Sequence, residues 1–172
     1  GSVTLETTSN TSTITFSSGA DITAKGSDAN GGELNGGAGG AVTFTTANDS
    51  VITLHDTYIQ TDGGAKSGNG TAGAGGTITI NDPLEIGTGT VKLQTGANSN
   101  NTATTGKVVV VSTINSDSGE TNQLDIITGG GAVDLGGLIG GVDALSALNI
   151  NAEGGAGNID ITNIGDGVDP AR

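Results

Sequence analysis

Apolar residues recur along this chain as pairs with a single residue between them: Val3-Thr4-Leu5, Val42-Thr43-Phe44, Ile78-Thr79-Ile80, Val108-Val109-Val110, Val133-Asp134-Leu135 and Ile159-Asp160-Ile161. A period of two marks short strands with one face turned inward. Successive pairs start 25 to 39 residues apart, too uneven for a simple repeat. The unevenness sits in glycine-rich tracts at 23–40, 61–76, 95–106, 128–131 and 151–157, and the segments left between them are 18 to 21 residues long. Stacked coils behave this way, because each coil must match its neighbours while a loop need only return to its corner.

The segment 77–94, "TITINDPLEIGTGTVKLQ", gives the form of one coil. Ile78 and Ile80 precede a turn at Asn81-Asp82-Pro83, Leu84 and Ile86 precede a turn at Gly87-Thr88-Gly89-Thr90, and Val91 and Leu93 make a third side. The glycine tract closes the remaining corner. The same three sides are read at Val3/Leu5, Ile14/Phe16 and Ala20/Ile22, and at Val42/Phe44, Ile52/Leu54 and Thr57/Ile59. The pattern predicts an all-β chain, a parallel β-helix (β-solenoid) of about five to six coils with glycine-rich loop insertions at one corner, residues 1–172 forming a single segment. A β-sandwich is the competing all-β reading. Its hairpin signals, Asn30-Gly31, Asn35-Gly36 and Asn69-Gly70, lie in tracts without apolar flanks.

Composition agrees with many thin core layers. There are 33 glycines, two Phe, one Tyr and no Trp, Met or Cys, so the apolar material is Val, Ile, Leu and Ala. The lack of cysteine excludes disulfides and thiolate metal sites. A formal net charge of −13 argues against nucleic acid as a partner, which would require a basic surface. No run of about 18 apolar residues occurs, so no membrane insertion by a helix is expected. No basic and apolar leader opens the chain, and Gly1-Ser2 reads as a cloning remnant. The chain is therefore expected to be a piece of a longer repeat protein.

The segment 129–165, "GGGAVDLGGLIGGVDALSALNINAEGGAGNIDITNIG", resembles the β-strand-repeat units of very large bacterial surface proteins, akin to filamentous-haemagglutinin-type adhesins. The resemblance rests on the Val-Asp-Leu strand, the glycine corner, "VDALSALNIN" and "GNIDI", and the first hundred residues, with their longer loops, fit it less tightly. It implies a right-handed β-helix, an extracellular or cell-surface location, and a stalk or adhesive role without catalysis. Partners would then be glycans or proteins of a host cell or its matrix. Fold analogy alone names no ligand.

Stacking places outward residues in columns about 4.8 Å apart. The first column reads Thr4, Thr43, Thr79, Val109, Asp134, Asp160, and the third Asp21, Tyr58, Lys92, Asp125, Asn149. Asp134 and Asp160 are like charges in adjacent coils, which makes them candidates for a shared Ca²⁺, although no cofactor is required. Lys92 beside Asp125 is an expected surface pair. "GGAGNIDIT" (154–162) puts Asp160 one position late for a calcium-binding nonapeptide, and "NSDSGE" (115–120) starts like an EF-hand loop without its remaining ligands. His55 stands beside Asp56 with Ser50 nearby, but neighbouring strand residues face opposite ways and do not form a triad.

A polysaccharide-active β-helix enzyme needs a carboxylate pair, for which Asp134 and Asp160 would serve, yet cations and aromatic sugar platforms are scarce. An ice-binding Thr ladder begins at Thr4, Thr43 and Thr79 and then lapses. Binding is expected instead at the first two tracts, which should leave one corner as neighbouring loops, with Asp28, Glu33, Asp62 and Lys66 as the candidate residues. Uncapped coil edges also predict end-to-end self-association.

Overall fold

A computed structural model describes residues 1–96, 106–118, 122–152 and 157–165. The chain runs in successive circuits of short strands. The first contains β1 (Val3–Glu6), β2 (Ile14–Phe16) and β3 (Ile22–Thr23), and the second β4 (Val42–Thr45), β5 (Ile52–Leu54) and β6 (Tyr58–Gln60). There follow β7 (Ile78–Ile80), β8 (Leu84–Ile86) and β9 (Thr90–Gln94), then β10 (Val108–Val110), β11 (Ile114–Ser116) and β12 (Gln123–Ile127). The last strands are β13 (Val133–Ile139), β14 (Ala147–Asn151) and β15 (Ile159–Ile164).

Among the described residues every pairing joins a strand to its counterpart one circuit away, and every pairing is parallel. The fold is all-β with parallel strands, in the arrangement of a parallel β-solenoid. Apolar columns line its inside. Val3, Val42, Ile78, Val108, Val133 and Ile159 are successive register partners, as are Leu5, Phe44, Ile80, Val110, Leu135 and Ile161. Between the ends these side chains are fully buried, and each contributes roughly 1.5–3 kcal/mol of transfer free energy against the entropy of ordering. Phe16 meets Phe44 edge to face, with ring centroids 5.8 Å apart.

Polar side chains fasten the corners. The buried Asp82 carboxylate accepts the Thr46 amide at 2.5 Å. The Asn81 amide donates to Thr45 Oγ1 at 2.8 Å. Buried Asn122 donates to the Ile86 carbonyl, Ser116 Oγ and Asp117 Oδ1. In β13 one corner becomes part of a strand. Gly136 and Gly137 bend the chain between Leu135 and Leu138 with a register irregularity, so β13 pairs with β10 on one side and β11 on the next.

The tract corner has a column of its own. Gly1, Gly40, Gly76, Gly106, Gly131 and Gly157 each stand two residues before the first strand of a circuit. A methyl group on Gly40 would lie 1.8 Å from the Gly1 carbonyl oxygen, one on Gly76 2.1 Å from that of Gly40, and one on Gly157 2.3 Å from that of Gly131. Backbone touches backbone at this corner. Opposite it, Thr61 Oγ1 donates to the Gly76 carbonyl at 2.9 Å, and Thr128 Oγ1 to that of Gly131 at 2.6 Å.

Two substitutions separate this corner from the core. Gly76→Ala drives its methyl into a main-chain oxygen and is expected to destabilise by about 1–3 kcal/mol. Phe44→Ala opens a cavity and should cost about 3–5 kcal/mol. Urea unfolding measures both, and a wild-type midpoint for Gly76→Ala would mean that the corner tolerates a side chain.

Candidate functional site

The tract insertions at 24–40 and 61–76 leave the same corner in successive circuits, and they fold together. Each makes an outgoing limb, a tip and a returning limb. Outgoing limbs pair with each other: the amides of Ala24, Gly26 and Ala29 donate to the carbonyls of Gln60, Asp62 and Ala65, each at 2.8 Å. Returning limbs do the same, with Gly36 donating to Thr71 at 2.9 Å and Gly39 to Ala74 at 2.8 Å. Within an arm the limbs are joined crosswise, Gly37 to Ser27 at 2.8 Å and Gly73 to Gly64 at 2.9 Å. A diagonal bond from Gly64 to Gly37, also 2.8 Å, ties one arm's outgoing limb to the other's returning limb.

Hydrogen bonds in more than one direction make a bundle rather than a sheet. They also bring main chains too close for side chains. A Cβ on Gly26 would stand 1.9 Å from the Gly37 carbonyl oxygen, and one on Gly64 1.8 Å from that of Ser27. Left-handed backbone in these two tracts is confined to the tips, at Gly31, Gly32 and Gly68. Glycine serves the limbs through close approach, and only the tips through turn conformation.

The candidate residues divide between these parts. Asp28 Oδ1 accepts the Ala65 amide at 2.8 Å, and its other oxygen meets Lys25 Nζ at 3.1 Å. Those donors hold the Asp28 carboxyl below its ordinary range, the Ala65 amide foremost. Glu33 accepts the side-chain amide of Asn69 at 2.8 Å, and Asn35 Oδ1 the Thr71 amide at 2.7 Å. Lys66 is exposed near the second tip, next to Ser67, whose hydroxyl donates to the Gly32 carbonyl at 2.8 Å. Asp62 is elsewhere: it is 2% exposed at the base of the arms, where Gln60 and Gln94 both donate to Oδ2 at 2.5 Å. Its Oδ1 is buried and has no hydrogen-bond partner among the described residues.

The tips therefore present Glu33, Lys66, Asn69 and the exposed Leu34 on a braced backbone. Leu34 was not among the expected binding residues, and at 51% exposed it is the apolar member of that surface. A lone leucine inside a glycine tract carries no periodicity that would mark it.

The remaining candidates lie apart from the tips. Asp134 and Asp160 are register partners on the first face, both exposed. Among the described residues no three His, Asp or Glu side chains gather as a metal cage. Asn115 Oδ1 accepts the Val142 amide at 3.1 Å and Asp117 Oδ1 accepts Asn122, while Glu120 and residues 154–156 of "GGAGNIDIT" lie outside the described residues. His55 lies against Gly87, with Nδ1 3.4 Å from Thr88 Oγ1, whereas the Asp56 carboxylate is 3.5 Å from Ser18 Oγ. Ser50 Oγ donates to the Ala47 carbonyl.

No family model, curated protein or solved structure matches this chain.

Beside the arms, the third outward column departs from the expected ion pair. Tyr58, Lys92, Asp125 and Asn149 are register partners. The Lys92 ammonium lies over the Tyr58 ring, 4.9 Å from its centroid. Asp125 accepts instead from Gln123 at 2.6 Å and Asn149 at 2.9 Å. A π face on one side of Lys92 competes with a carboxylate already supplied with amide donors.

Burial, then the charges of Asp62 and Asp21, push the Tyr58 phenol up to about 12. The folded phenol holds its proton more tightly than an unfolded one. Its contribution to stability is complete below pH 10 and is lost as the pH rises towards about 12. As the only tyrosine, it should titrate by ultraviolet absorbance with a midpoint near 12 in the folded chain and about 10 in urea. A folded-state midpoint at the unperturbed value would contradict this environment.

Proposed function

We propose that this chain is a noncatalytic segment of a bacterial cell-surface adhesin, a rigid stalk that carries a braced binding surface on its paired glycine arms. In this reading the stack is a right-handed parallel β-helix of about five to six coils, and the protein is extracellular. Its ligand is a glycan or protein of a host cell or matrix.

The observation that carries the proposal is the bonding between the arms. An insertion that is merely tolerated needs no ladder to its neighbour, whereas these two are joined along both limbs and again at the tips, from Asn69 to Glu33 and from Ser67 to Gly32. Such bracing fixes the tip side chains before a ligand arrives and lowers the entropy lost on binding. The resemblance of 129–165 to β-strand-repeat adhesin segments supports the same reading. The surroundings of His55, Asp56 and Ser50, each engaged with a different neighbour, favour a binding role over hydrolysis.

Deleting residues 24–39 and 62–75 tests the arms, since the deletion keeps Gly40 and Gly76 and every strand. The shortened chain is expected to keep the circular dichroism of the strand columns. It should lose whatever signal the intact protein gives on glycan and matrix-protein arrays. Equal array binding by both forms would remove the arms from the proposed function, and no array binding by the intact protein would favour an inert spacer.

A further inference from the structure

Three Asn-Gly dipeptides stand in the two arms, at Asn30-Gly31, Asn35-Gly36 and Asn69-Gly70. Such a pair is reactive in itself, because the glycine amide nitrogen can turn onto the asparagine side-chain carbonyl carbon with no side chain of its own in the way. All three asparagines are exposed, so access of water does not distinguish them. The bonding of the arms does.

At Asn35-Gly36 both reacting groups are held. Asn35 Oδ1 accepts the Thr71 amide at 2.7 Å, and the Gly36 amide donates to the Thr71 carbonyl at 2.9 Å. A Cβ on Gly36 would lie 2.0 Å from the Gly64 carbonyl oxygen. Asn69-Gly70 is held in the same manner: Asn69 Nδ2 donates to Glu33 at 2.8 Å, and the Gly70 amide to the Ser67 carbonyl at 3.0 Å. There a Cβ would lie 2.0 Å from the Leu34 carbonyl oxygen. Turning either peptide breaks two hydrogen bonds and drives main chain into main chain.

Asn30-Gly31 has neither restraint. Among the described residues the Asn30 side chain and the Gly31 amide have no hydrogen-bond partner. A Cβ on Gly31 would meet nothing within 4 Å. The ties of the tip pass this pair on both sides, through the Ala29 amide to Ala65 and the Gly32 carbonyl to Ser67.

From this contrast we propose that Asn30-Gly31 is a site of spontaneous deamidation, and that the folded arms select it from three pairs of equal intrinsic chemistry.

The Gly31 nitrogen gives its proton to solvent and attacks Asn30 Cγ. The new N–Cγ bond forms, the Cγ–Nδ2 bond breaks, and ammonia leaves a cyclic succinimide. Water then opens the ring. Addition at Cγ yields aspartate at position 30, and addition at the main-chain carbonyl yields isoaspartate, whose main chain runs through the former side chain. Water is the co-reactant, and nothing is oxidised or reduced.

Either product places a new carboxylate on the tip that presents Glu33 and Lys66, in a chain already of formal net charge −13. Isoaspartate also lengthens the turn by a methylene between the ties at Ala29 and Gly32. The tip therefore changes charge and shape with age, while the braced limbs do not.

The inference rests on the bonding of the arms and is independent of what they bind. Full-length protein, folded or in urea, is incubated in mildly alkaline buffer. Peptide mass spectrometry follows each asparagine, and enzymatic methylation identifies isoaspartate. In urea the three pairs should convert at comparable rates. In the folded chain Asn30 should react about as fast as in urea, while Asn35 and Asn69 slow by about tenfold or more, because two hydrogen bonds must open before either reacts. Asn30→Gln should remove the folded-state reaction and leave the circular dichroism unchanged. Comparable folded-state rates at all three pairs would overturn the selection, as would faster reaction at Asn35 or Asn69 than at Asn30. Loss of Asn30 conversion on folding, with conversion intact in urea, would overturn the site itself.

Discussion

Contact of main chain with main chain between successive circuits is the constraint on which the structure depends. On the strand faces it takes the ordinary form of parallel ladders, with side chains directed inward or outward from the contact. At the glycine corner the Cβ would point into the neighbouring circuit, and the column from Gly40 to Gly157 removes it. The apolar layers can stack at ladder spacing only because every corner, including this one, also closes to that spacing. A chain with almost no aromatic residues can then have a dry core, since each layer needs only a few aliphatic side chains.

The arms extend that contact beyond the core. Their limbs bury little apolar surface, so their order comes from hydrogen bonds between neighbouring limbs, such as those donated by Gly26, Gly36, Gly37, Gly39, Gly64 and Gly73. Hydrogen bonds of this kind contribute about 0.5–1.5 kcal/mol each and act cooperatively along a ladder. Glycine carries a large entropic cost of ordering, which is why the arms need many such bonds and why their tips carry further side-chain ties. The result is a hydrogen-bonded base whose tips carry polar side chains and the exposed Leu34.

Much of this was legible in the order of the residues. Aligning the apolar pairs correctly set Thr43 on Thr79, Asp134 on Asp160 and Lys92 on Asp125, because an apolar residue at every second position leaves one register that buries all the pairs. The shared corner of the first two tracts was legible for the same reason. The internal structure of the tracts was not. Glycine carries no periodicity, and nothing in "GGAGG" distinguishes a loop from a limb packed against another limb. The partner of Lys92 was hidden because its column offered both a ring and a carboxylate, and the acceptors available to Gln123 and Asn149 decided between them. Asp62 looked like a loop carboxylate, and it became a buried one because Gln60 and Gln94 converge on it from adjacent strands.

The glycine tracts 24–40 and 61–76 are folded parts of the stack. Residue-resolved amide hydrogen exchange tests it most directly. Gly26, Gly37, Gly64 and Gly73 are expected to be protected together with strand amides such as Ile78, while Gly31 at the tip exchanges freely. Unprotected exchange at all four limb glycines, with the strand columns still protected, would contradict it.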